Sequence, residues 1–503
     1  MRARIPEISL KVGPSVTPWY LQRVLTFCGI CESYRRETTI DTLPDDVLFE
    51  IFDLCRTHFY FNLFCIVWKW HKLVHVCRRW RQLIFESPRR LNIQILCTHK
   101  TPVVENLRIW PAFPIVIDFK YSERRVGPEG EDNIIAALGY LDRVSWVRLK
   151  VSRRELENVV TVMQVPFPVL TRLEIYSDDR YAPVLPTGFL GGSAPRLQAI
   201  VLRGIPFPTL PVLLLSSRNL ISLNLYKIPP AGYISPEAMV VSLAALTRLQ
   251  DLIITFQLVI PYLYQIRPPP VTRTILPALT AFTFQGACAY LENLVARIDS
   301  PQLDCIHINY PNQGFDLPAA QQLAKFLDRS MGPKLTLLRH ARVNFDYYFT
   351  FYMYRHPFPL AISHILCTGI ERHLSNIAQS FRQFSTALSN VVHLRFEVQP
   401  GKSRQFVEGT DDVEWLLLLR QFSTVRSLYV SQDLTWPVSL ALEDIDVEMV
   451  AEVLPSLELI CLAGQPASSV RRFVAARQFS GRPVIVVDTK TEFSKRLASS
   501  FSE

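Results

Sequence analysis

A chain of 503 residues with 49% hydrophobic and 20% charged residues has the composition of a folded globular protein, which excludes a wholly disordered or fibrous chain. The length suits roughly two to four ordinary domains or one extended repeat array. No apolar run reaches the roughly 18–20 residues that a membrane helix needs, and the N-terminus lacks the apolar core of a secretory signal. The sequence therefore predicts neither a membrane protein nor a secreted one.

The ten cysteines and the net charge of +9 are dispersed along the chain. Most cysteines lie in apolar segments and form no repeating framework, which indicates a reducing compartment, cytoplasmic or nuclear. The densest basic spot, residues 78–81, has a simpler explanation as the solvated face of a helix. Neither a nucleic acid nor a membrane is therefore an expected partner.

The first predicted element is an amphipathic helix near residue 45. Pro44 suits the first helical turn, and Asp45 and Asp46 complement the positive end of the helix dipole. One apolar stripe follows, formed by Val47, Leu48, Ile51, Phe52 and Cys55. Thr42 and Leu43 precede the proline and mark where the helix starts.

A second amphipathic helix is predicted from Trp70 to Phe85. Its apolar face consists of Leu73, Val76, Cys77, Trp80 and Ile84. Between the two helices, residues 57–67 read THFYFNLFCIV, where a few polar residues would be expected. This stretch forms an extra buried turn or an exposed patch, or comes from an imperfect gene model. An exposed patch would promote aggregation and weaken partner docking.

A short pattern, apolar-x-x-apolar-x-apolar, then recurs ten times. The copies begin at Val144, Leu170, Leu197, Leu220, Leu249, Leu279, Leu303, Val391, Val425 and Leu457. The steps are about 23–30 residues for the first seven copies and about 32–34 for the last three, near those of leucine-rich repeats. In such a unit the end of the pattern is a short parallel strand, and stacked units bury their apolar positions as one ladder.

Prolines lie just before several of these copies, and helices are predicted between some of them. Five copies follow a proline, which fits the start of a strand and blocks helical continuation: Pro168, Pro195, Pro277, Pro301 and Pro455. Helices are predicted at residues 235–246 and 318–327, each opening with a proline near its start. The alternation predicts an α/β array.

Three regions depart from the repeat. Residues 98–140 are predicted as a proline-punctuated link that contains a polar loop at 122–132. Residues 309–390 are predicted as an irregular insert with at most one degenerate copy, near Leu335 and Leu338. The segment PVIVV at 483–487 is predicted as a last strand, followed by a polar tail that frays.

The two N-terminal helices resemble the F-box motif. Its pattern, Leu-Pro-x-x-hydrophobic-Leu-x-x-Ile-Phe and then Val-Cys-Arg-x-Trp-Arg, matches LPDDVLFEIF and VCRRWRQLI here. With the copies downstream, the chain resembles fungal-type F-box proteins with leucine-rich repeats. The domains expected are an extension (1–39), a helical F-box (40–97), a linker (98–140), an irregular leucine-rich-repeat solenoid (141–487) and a tail (488–503). The solenoid is expected to place parallel strands on its concave face and helices or loops on its convex face.

The resemblance implies the substrate-recognition subunit of an SCF-type (Skp–cullin–F-box) E3 ubiquitin ligase. In that family the F-box helices dock on a Skp-type adaptor, which links them to a cullin, and the C-terminal domain selects the protein to be ubiquitinated and degraded. The adaptor contacts carried over are Leu43, Pro44, Val47, Leu48, Ile51, Phe52, Val76, Cys77 and Trp80. Trp80 is the expected hot spot, although Trp80 and Val76 suit the F-box core equally well. The alternative is an F-box scaffold acting outside a ubiquitin ligase.

The candidate target-binding face lies between the ladder positions of the repeats. Its residues are Arg172, Glu174, Asn224, Asp251, Thr283, His307 and Arg395. For any single one of them, an ordinary solvent-facing strand position is the simpler explanation. The face does not specify which target protein it binds.

No catalytic, metal or cofactor site is expected, so the chain is not predicted to be an enzyme. Cys28 and Cys31 have zinc-site spacing but lack a second ligand pair, and His71 and His75 flank Lys72 where a zinc peptidase has glutamate. The glycine-rich residues 187–193 lack the lysine of a phosphate-binding loop and are predicted as a turn.

Overall fold

The protein is described from a computed structural model with two compact units, residues 1–93 and 94–503. The structure describes residues 40–57, 70–88, 90–91, 93–98, 102–119, 128–179, 182–257, 272–310, 321–345, 349–354, 362–363, 374–398, 412–445, 449–463 and 467–488. The predicted extension at 1–39, the apolar residues 58–67 and the tail after residue 488 lie outside this part of the chain.

In its described residues, the first unit contains two α-helices, a short 3-10 segment at Ile40–Thr42 and a longer 3-10 turn. Helix α1 spans Asp45–Thr57, the turn spans Trp70–His75, and α2 spans Arg78–Glu86. The prediction of one helix from Trp70 to Phe85 is wrong. Cys77 has an extended backbone (φ −153°, ψ 173°), and its Sγ accepts a hydrogen bond of 3.5 Å from the Trp80 N–H. Because this N-cap geometry starts a new helix, α2 begins at Arg78.

Within the described residues, the second unit is a mixed α/β structure built on a sheet of 16 strands. Its strands, with a separate parallel pair formed by β8 and β10, are β1 (Ile95–Cys97), β2 (Ile115–Phe119), β3 (Val144–Lys150), β4 (Arg172–Tyr176), β5 (Ala199–Arg203), β6 (Ser222–Ile228), β7 (Asp251–Phe256), β8 (Thr274–Ile275), β9 (Ala281–Gln285), β10 (Ile298–Asp299), β11 (Cys305–Asn309), β12 (His340–Phe345), β13 (Phe349–Tyr354), β14 (Ile362–Ser363), β15 (His393–Glu397), β16 (Ser427–Val430), β17 (Leu459–Leu462) and β18 (Ile485–Asp488). Neighbouring strands of the sheet are parallel and follow chain order except at one excursion, in which β14 and β13 lie between β11 and β12 and β13 is antiparallel to both its neighbours.

Helices of the second unit alternate with its strands. They are α3 (Val103–Ile109), α4 (Pro128–Leu138), α5 (Arg153–Val162), α6 (Leu210–Ser216), α7 (Pro236–Leu243), α8 (Cys288–Val295), α9 (Gln321–Leu335), α10 (Leu374–Gln383), α11 (Ser385–Leu388), α12 (Asp412–Leu419), α13 (Gln432–Glu443) and α14 (Arg471–Phe479). Neighbours such as α6, α7 and α8 pack in chain order. Within the described ranges, no helix has the length and apolar content needed to cross a bilayer.

Each of the ten predicted copies carries a strand, and their apolar residues form the expected ladder. Leu173 pairs with Ile200 of the next strand, which pairs in turn with Leu223, and all three side chains are buried. The Leu170 N–H donates to the Phe167 carbonyl at 3.2 Å, closing a turn that ends where the strand begins. Pro168 occupies the second position of this turn, where its fixed φ is favourable. The predicted final strand is also present as β18, paired with β17.

The predicted link at 98–140 is part of the sheet structure. It contains α3, β2 and α4, and β2 pairs in parallel with both β1 and β3. The polar loop predicted at 122–132 is helical from Pro128 onward, because a proline and two acidic residues suit the first turn of α4. The described sheet therefore begins with β1 at Ile95, well before residue 141, where the repeat domain was predicted to start.

The predicted insert at 309–390 contributes three strands to the sheet. The degenerate copy runs from Leu338 through Ala341 to Val343, all buried, and its second half lies in β12. After β12 the chain turns back as antiparallel β13 and then β14, which pairs with β11. This excursion gives the local order β11-β14-β13-β12-β15. Helix α9 also extends beyond its predicted end, to Leu335.

Candidate functional site

The candidate adaptor surface belongs to the first unit. Of the residues predicted to contact the adaptor, some are buried in the core of this unit and others are exposed. Leu48, Phe52 and Trp80 are buried. The rings of Phe52 and Trp80 meet edge to face with centroids 4.9 Å apart. Trp80 thus packs within the unit in the free chain, whereas Val47 and Val76 are 39% and 55% exposed.

The exposed apolar residues of this unit form the surface available to a partner, which we call the helical-unit surface. It consists of the predicted residues Leu43, Pro44, Val47, Ile51, Val76 and Cys77, which are exposed or half-buried. Two exposed apolar residues were not selected from the sequence: Ile40, before α1, and Leu54, on α1. The helical periodicity of the sequence identified the apolar residues of α1. It did not show which of them are buried, as Leu48 is, and which are exposed to solvent, as Val47 is.

Arg79 fixes the start of α1 relative to α2. Its Nη2 donates to the Leu43 carbonyl oxygen at 2.6 Å, and its Nε donates to Asp45 Oδ1 at 3.2 Å. The same guanidinium therefore engages the residues on both sides of Pro44. Sequence reasoning missed this contact because 36 residues separate the partners at Leu43 and Arg79.

Replacing Arg79 by alanine is expected to lower the free energy of unfolding of the first unit by about 1 kcal/mol. The change removes charge-assisted hydrogen bonds on a half-exposed side chain, so solvent screening keeps the effect modest. Hydrogen exchange of the α1 amides measures it. Arg78→Ala is the matched control, because Arg78 is an exposed arginine at the first position of the same helix. Equal exchange rates in the two variants would contradict the prediction.

The seven predicted target-binding residues all lie on one face of the sheet, opposite the buried ladder. Arg172 and Asp251 belong to a first row, in register across neighbouring strands. The other five belong to a second row, which runs through Asp118, Arg148, Glu174, Val201, Asn224, Ile253, Thr283, His307, Ser363, Tyr352, Arg342, Arg395, Tyr429, Cys461 and Val487. The excursion through β14 and β13 therefore preserves the row as far as Arg395.

Charged and aromatic side chains concentrate at the β3–β4 part of this face. Arg148 is buried, and its guanidinium lies 3.1 Å from Asp118 Oδ2 and 3.0 Å from Glu174 Oε2. The Tyr176 hydroxyl donates to the same Glu174 oxygen at 2.9 Å, and the Arg148 guanidinium lies 4.4 Å from the Trp146 ring centroid. Glu174 is thus held in a network rather than being a simple solvent-facing residue.

A second cluster surrounds Arg395. Its guanidinium pairs with Glu397 and lies 4.4 Å from the Tyr429 ring centroid, and Arg342 lies 3.4 Å from Glu397. In the row before Arg342 and Arg395, the rings of His340 and His393 stack 4.6 Å apart. Burial, reinforced by the charge of a neighbouring arginine, lowers the pKa of His393 and favours its neutral imidazole.

The remaining sequence candidates show no reactive arrangement within the described residues. The glycine-rich segment 187–193 is a turn, as predicted, in which Gly191 has φ 66° and a Cβ would lie 2.7 Å from Pro166 Cγ. Burial raises the pKa of the Cys97 thiol to about 12, which keeps it protonated. No group of three metal-ligating side chains occurs there either, and Cys28 and Cys31 lie outside that part of the chain.

The geometry thus offers two surfaces suited to protein contacts, one in each unit. In the described ranges, neither surface brings together the nucleophile, base and charge-stabilising groups that a hydrolytic site requires. No protein-family model matches the chain, and no curated protein is significantly similar to it.

Proposed function

We propose that this chain is a substrate receptor of an SCF-type ubiquitin ligase. The first unit is then an F-box that binds a Skp-type adaptor and, through it, a cullin. The second unit is a leucine-rich-repeat solenoid. The sheet face opposite the buried apolar ladder, which is the concave face in such a solenoid, binds the target protein. The chain itself performs no chemistry in this proposal and acts by holding two proteins together.

The observation that carries the proposal is the helical-unit surface beside the LPDDVLFEIF sequence. A folded unit with its own core at Leu48, Phe52 and Trp80 leaves Val47 and Val76 in contact with water. Exposed apolar side chains on packed helices suit recognition by an apolar groove of a partner. The continuous second row on the sheet face, with its charged and aromatic clusters, supports a separate protein contact.

Co-purification of the full chain with a Skp-type adaptor tests the proposal. The Val47→Asp/Val76→Asp double variant is expected to weaken adaptor binding by about thirtyfold or more, since hot-spot losses reach about 2 kcal/mol and each 1.4 kcal/mol is about tenfold. These positions are better probes than Trp80, because replacing a buried tryptophan would damage the core of the unit.

Val212→Asp provides the matched control for this experiment. Val212 is a similarly exposed valine, 59% accessible, on α6 of the second unit. Its variant should bind the adaptor as the unmodified chain does. If the unmodified, folded chain does not bind the adaptor, the ligase proposal fails and a scaffold acting outside a ubiquitin ligase replaces it. Equal binding by the double variant would remove the helical-unit surface from the interface.

A further inference from the structure

Three cationic side chains surround one carboxylate at the carboxyl ends of β3 to β6. Lys150 ends β3, Arg203 ends β5, and Lys227 lies in the last part of β6. Lys150 Nζ lies 2.9 Å from Asp178 Oδ2, and Arg203 Nη2 lies 3.8 Å from Asp178 Oδ1. The hydrogen bond from Lys150, and the charges of all three cations, lower the pKa of Asp178. We call these three cations the basic edge.

The basic edge has more positive charge than Asp178 neutralises. Nearby Glu174 is engaged by Arg148; Asp179, which accepts a hydrogen bond from the Arg153 backbone N–H, keeps its charge, but the three cations still outnumber Asp178 and Asp179. A partner could reach the side chains of Lys150 and Arg203, which are 52% and 43% exposed. An anion supplied by another molecule would therefore meet exposed cations that Asp178 alone does not neutralise.

The backbone fixes these side chains before any ligand arrives. The Ser177 N–H donates to the Arg203 carbonyl at 2.9 Å, which continues the ladder beyond the strands. Lys227 has a left-handed backbone (φ 51°), which is strained for a residue with a side chain. Its N–H donates to Thr255 Oγ1 at 2.7 Å, where the register of β6 and β7 shifts. Such a bulge redirects the side chain that it carries, here the ammonium of Lys227.

We propose that the basic edge binds an extended acidic segment of the target protein, an inference that rests on the proposed function. Strands β3 to β6 span about 14 Å at the usual spacing of neighbouring strands. An extended peptide places every second side chain about 7 Å apart on one side. Three carboxylates at alternate positions of such a segment therefore span about the same distance as strands β3 to β6. Guanidinium and ammonium groups bind carboxylates through charge-assisted hydrogen bonds.

Fluorescence anisotropy with the full chain tests this site. The probes are a labelled peptide of alternating Glu and Ser, its Gln and Ser counterpart, and single-stranded DNA of equal charge. The Glu-containing peptide is expected to bind, with affinity that falls as salt rises. Arg203→Ala/Lys227→Ala should weaken its binding about tenfold or more, the equivalent of at least one charge-assisted hydrogen bond.

Two single variants distinguish specific binding of the acidic peptide at the basic edge from a general loss of folding or of surface charge. Asp178→Asn should strengthen binding severalfold, because it removes the internal carboxylate that competes for the same cations. Arg196→Ala, an exposed arginine before β5, should leave binding unchanged. Circular dichroism of every variant checks that the sheet remains folded.

Several results would overturn the site. These are equal binding of the glutamine peptide, no loss in the double variant, weaker binding by Asp178→Asn, or tighter binding of the DNA than of the peptide. Adaptor co-purification with Arg203→Ala/Lys227→Ala tests the proposed function separately. In the unmodified chain, adaptor binding without binding of the Glu-containing peptide removes only this site, whereas peptide binding without adaptor binding removes only the ligase proposal.

Discussion

Replacing Arg148 by methionine is expected to lower the free energy of unfolding of the second unit by about 3 kcal/mol. Arg148 is only 4% exposed and is the shared partner of Asp118 and Glu174. Methionine keeps much of the side-chain volume but leaves two largely buried carboxylates without their counter-charge. Urea unfolding followed by circular dichroism measures the loss as a shift of the midpoint at unchanged slope.

Removing the whole network should reverse most of this loss. In the triple variant Asp118→Asn/Arg148→Met/Glu174→Gln, no unpaired charge stays buried, so stability should return towards that of the unmodified chain. Arg153→Met is the matched control, because Arg153 and Glu157 form an exposed pair on α5. Its effect should stay below about 0.5 kcal/mol. A triple variant no more stable than Arg148→Met would show that lost packing, rather than uncompensated charge, dominates.

Glu292→Gln is expected to stabilise the second unit strongly at pH 8 and only slightly at pH 5. Glu292 is 2% exposed on α8, and its two oxygens accept the Gln322 and Leu323 N–H groups of α9 at 2.8 and 2.9 Å. Burial raises the pKa of this carboxyl from 4.5 to about 7, and the two backbone hydrogen bonds only partly oppose that shift. Glutamine resembles the protonated side chain, which is uncharged and has one acceptor oxygen fewer.

The sign of this pH dependence follows from the raised pKa. Below pH 4.5 both folded and unfolded chains hold the proton, and the stability from this group is fully present. Between pH 4.5 and about 7 the unfolded chain has lost the proton while the folded chain still holds it, so this stability falls progressively and is fully lost once the pH exceeds the folded pKa. The shift corresponds to about 3 kcal/mol. The free energy of unfolding of Glu292→Gln is compared with that of the unmodified chain from pH 5 to 8. Because all other groups are the same, the difference reports the contribution of the Glu292 carboxyl alone. A difference that stays constant or changes sign would refute the prediction.

The repeating strands were predictable because their side chains alternate with period two. Leu223 and Leu225 face the core, and Ser222 and Asn224 between them face outward, so sequence spacing gives both register and face. Sequence spacing also placed all seven candidate target-binding residues on one face. It did not reveal which of them are tied into charge networks, as Glu174 is, because those partners come from other strands.

The missed elements have local physical reasons. The β12 copy has Ala341 at the position where other copies have a large apolar residue, which weakens the pattern although the site is buried. The break before α2 depends on a cysteine acting as N-cap, a role for which serine, threonine, aspartate and asparagine are the usual signals. The contact of Arg79 with Leu43 and the left-handed backbone of Lys227 depend on tertiary structure, which no spacing rule encodes.

The excursion through β13 and β14 has a consequence for how the sheet opens. Strands β9 and β11 share five residue pairs, but β11 and β14 share only two in the described chain, Ile306 with Ile362 and His307 with Ser363. Because the stability of stacked units is approximately a sum of nearest-neighbour contacts, we expect the described part of the sheet to be weakest at β14. Strands on the two sides of β14 are then expected to unfold as separate cooperative units with different free energies. A pull applied to the chain ends would part the sheet there, with each half still folded.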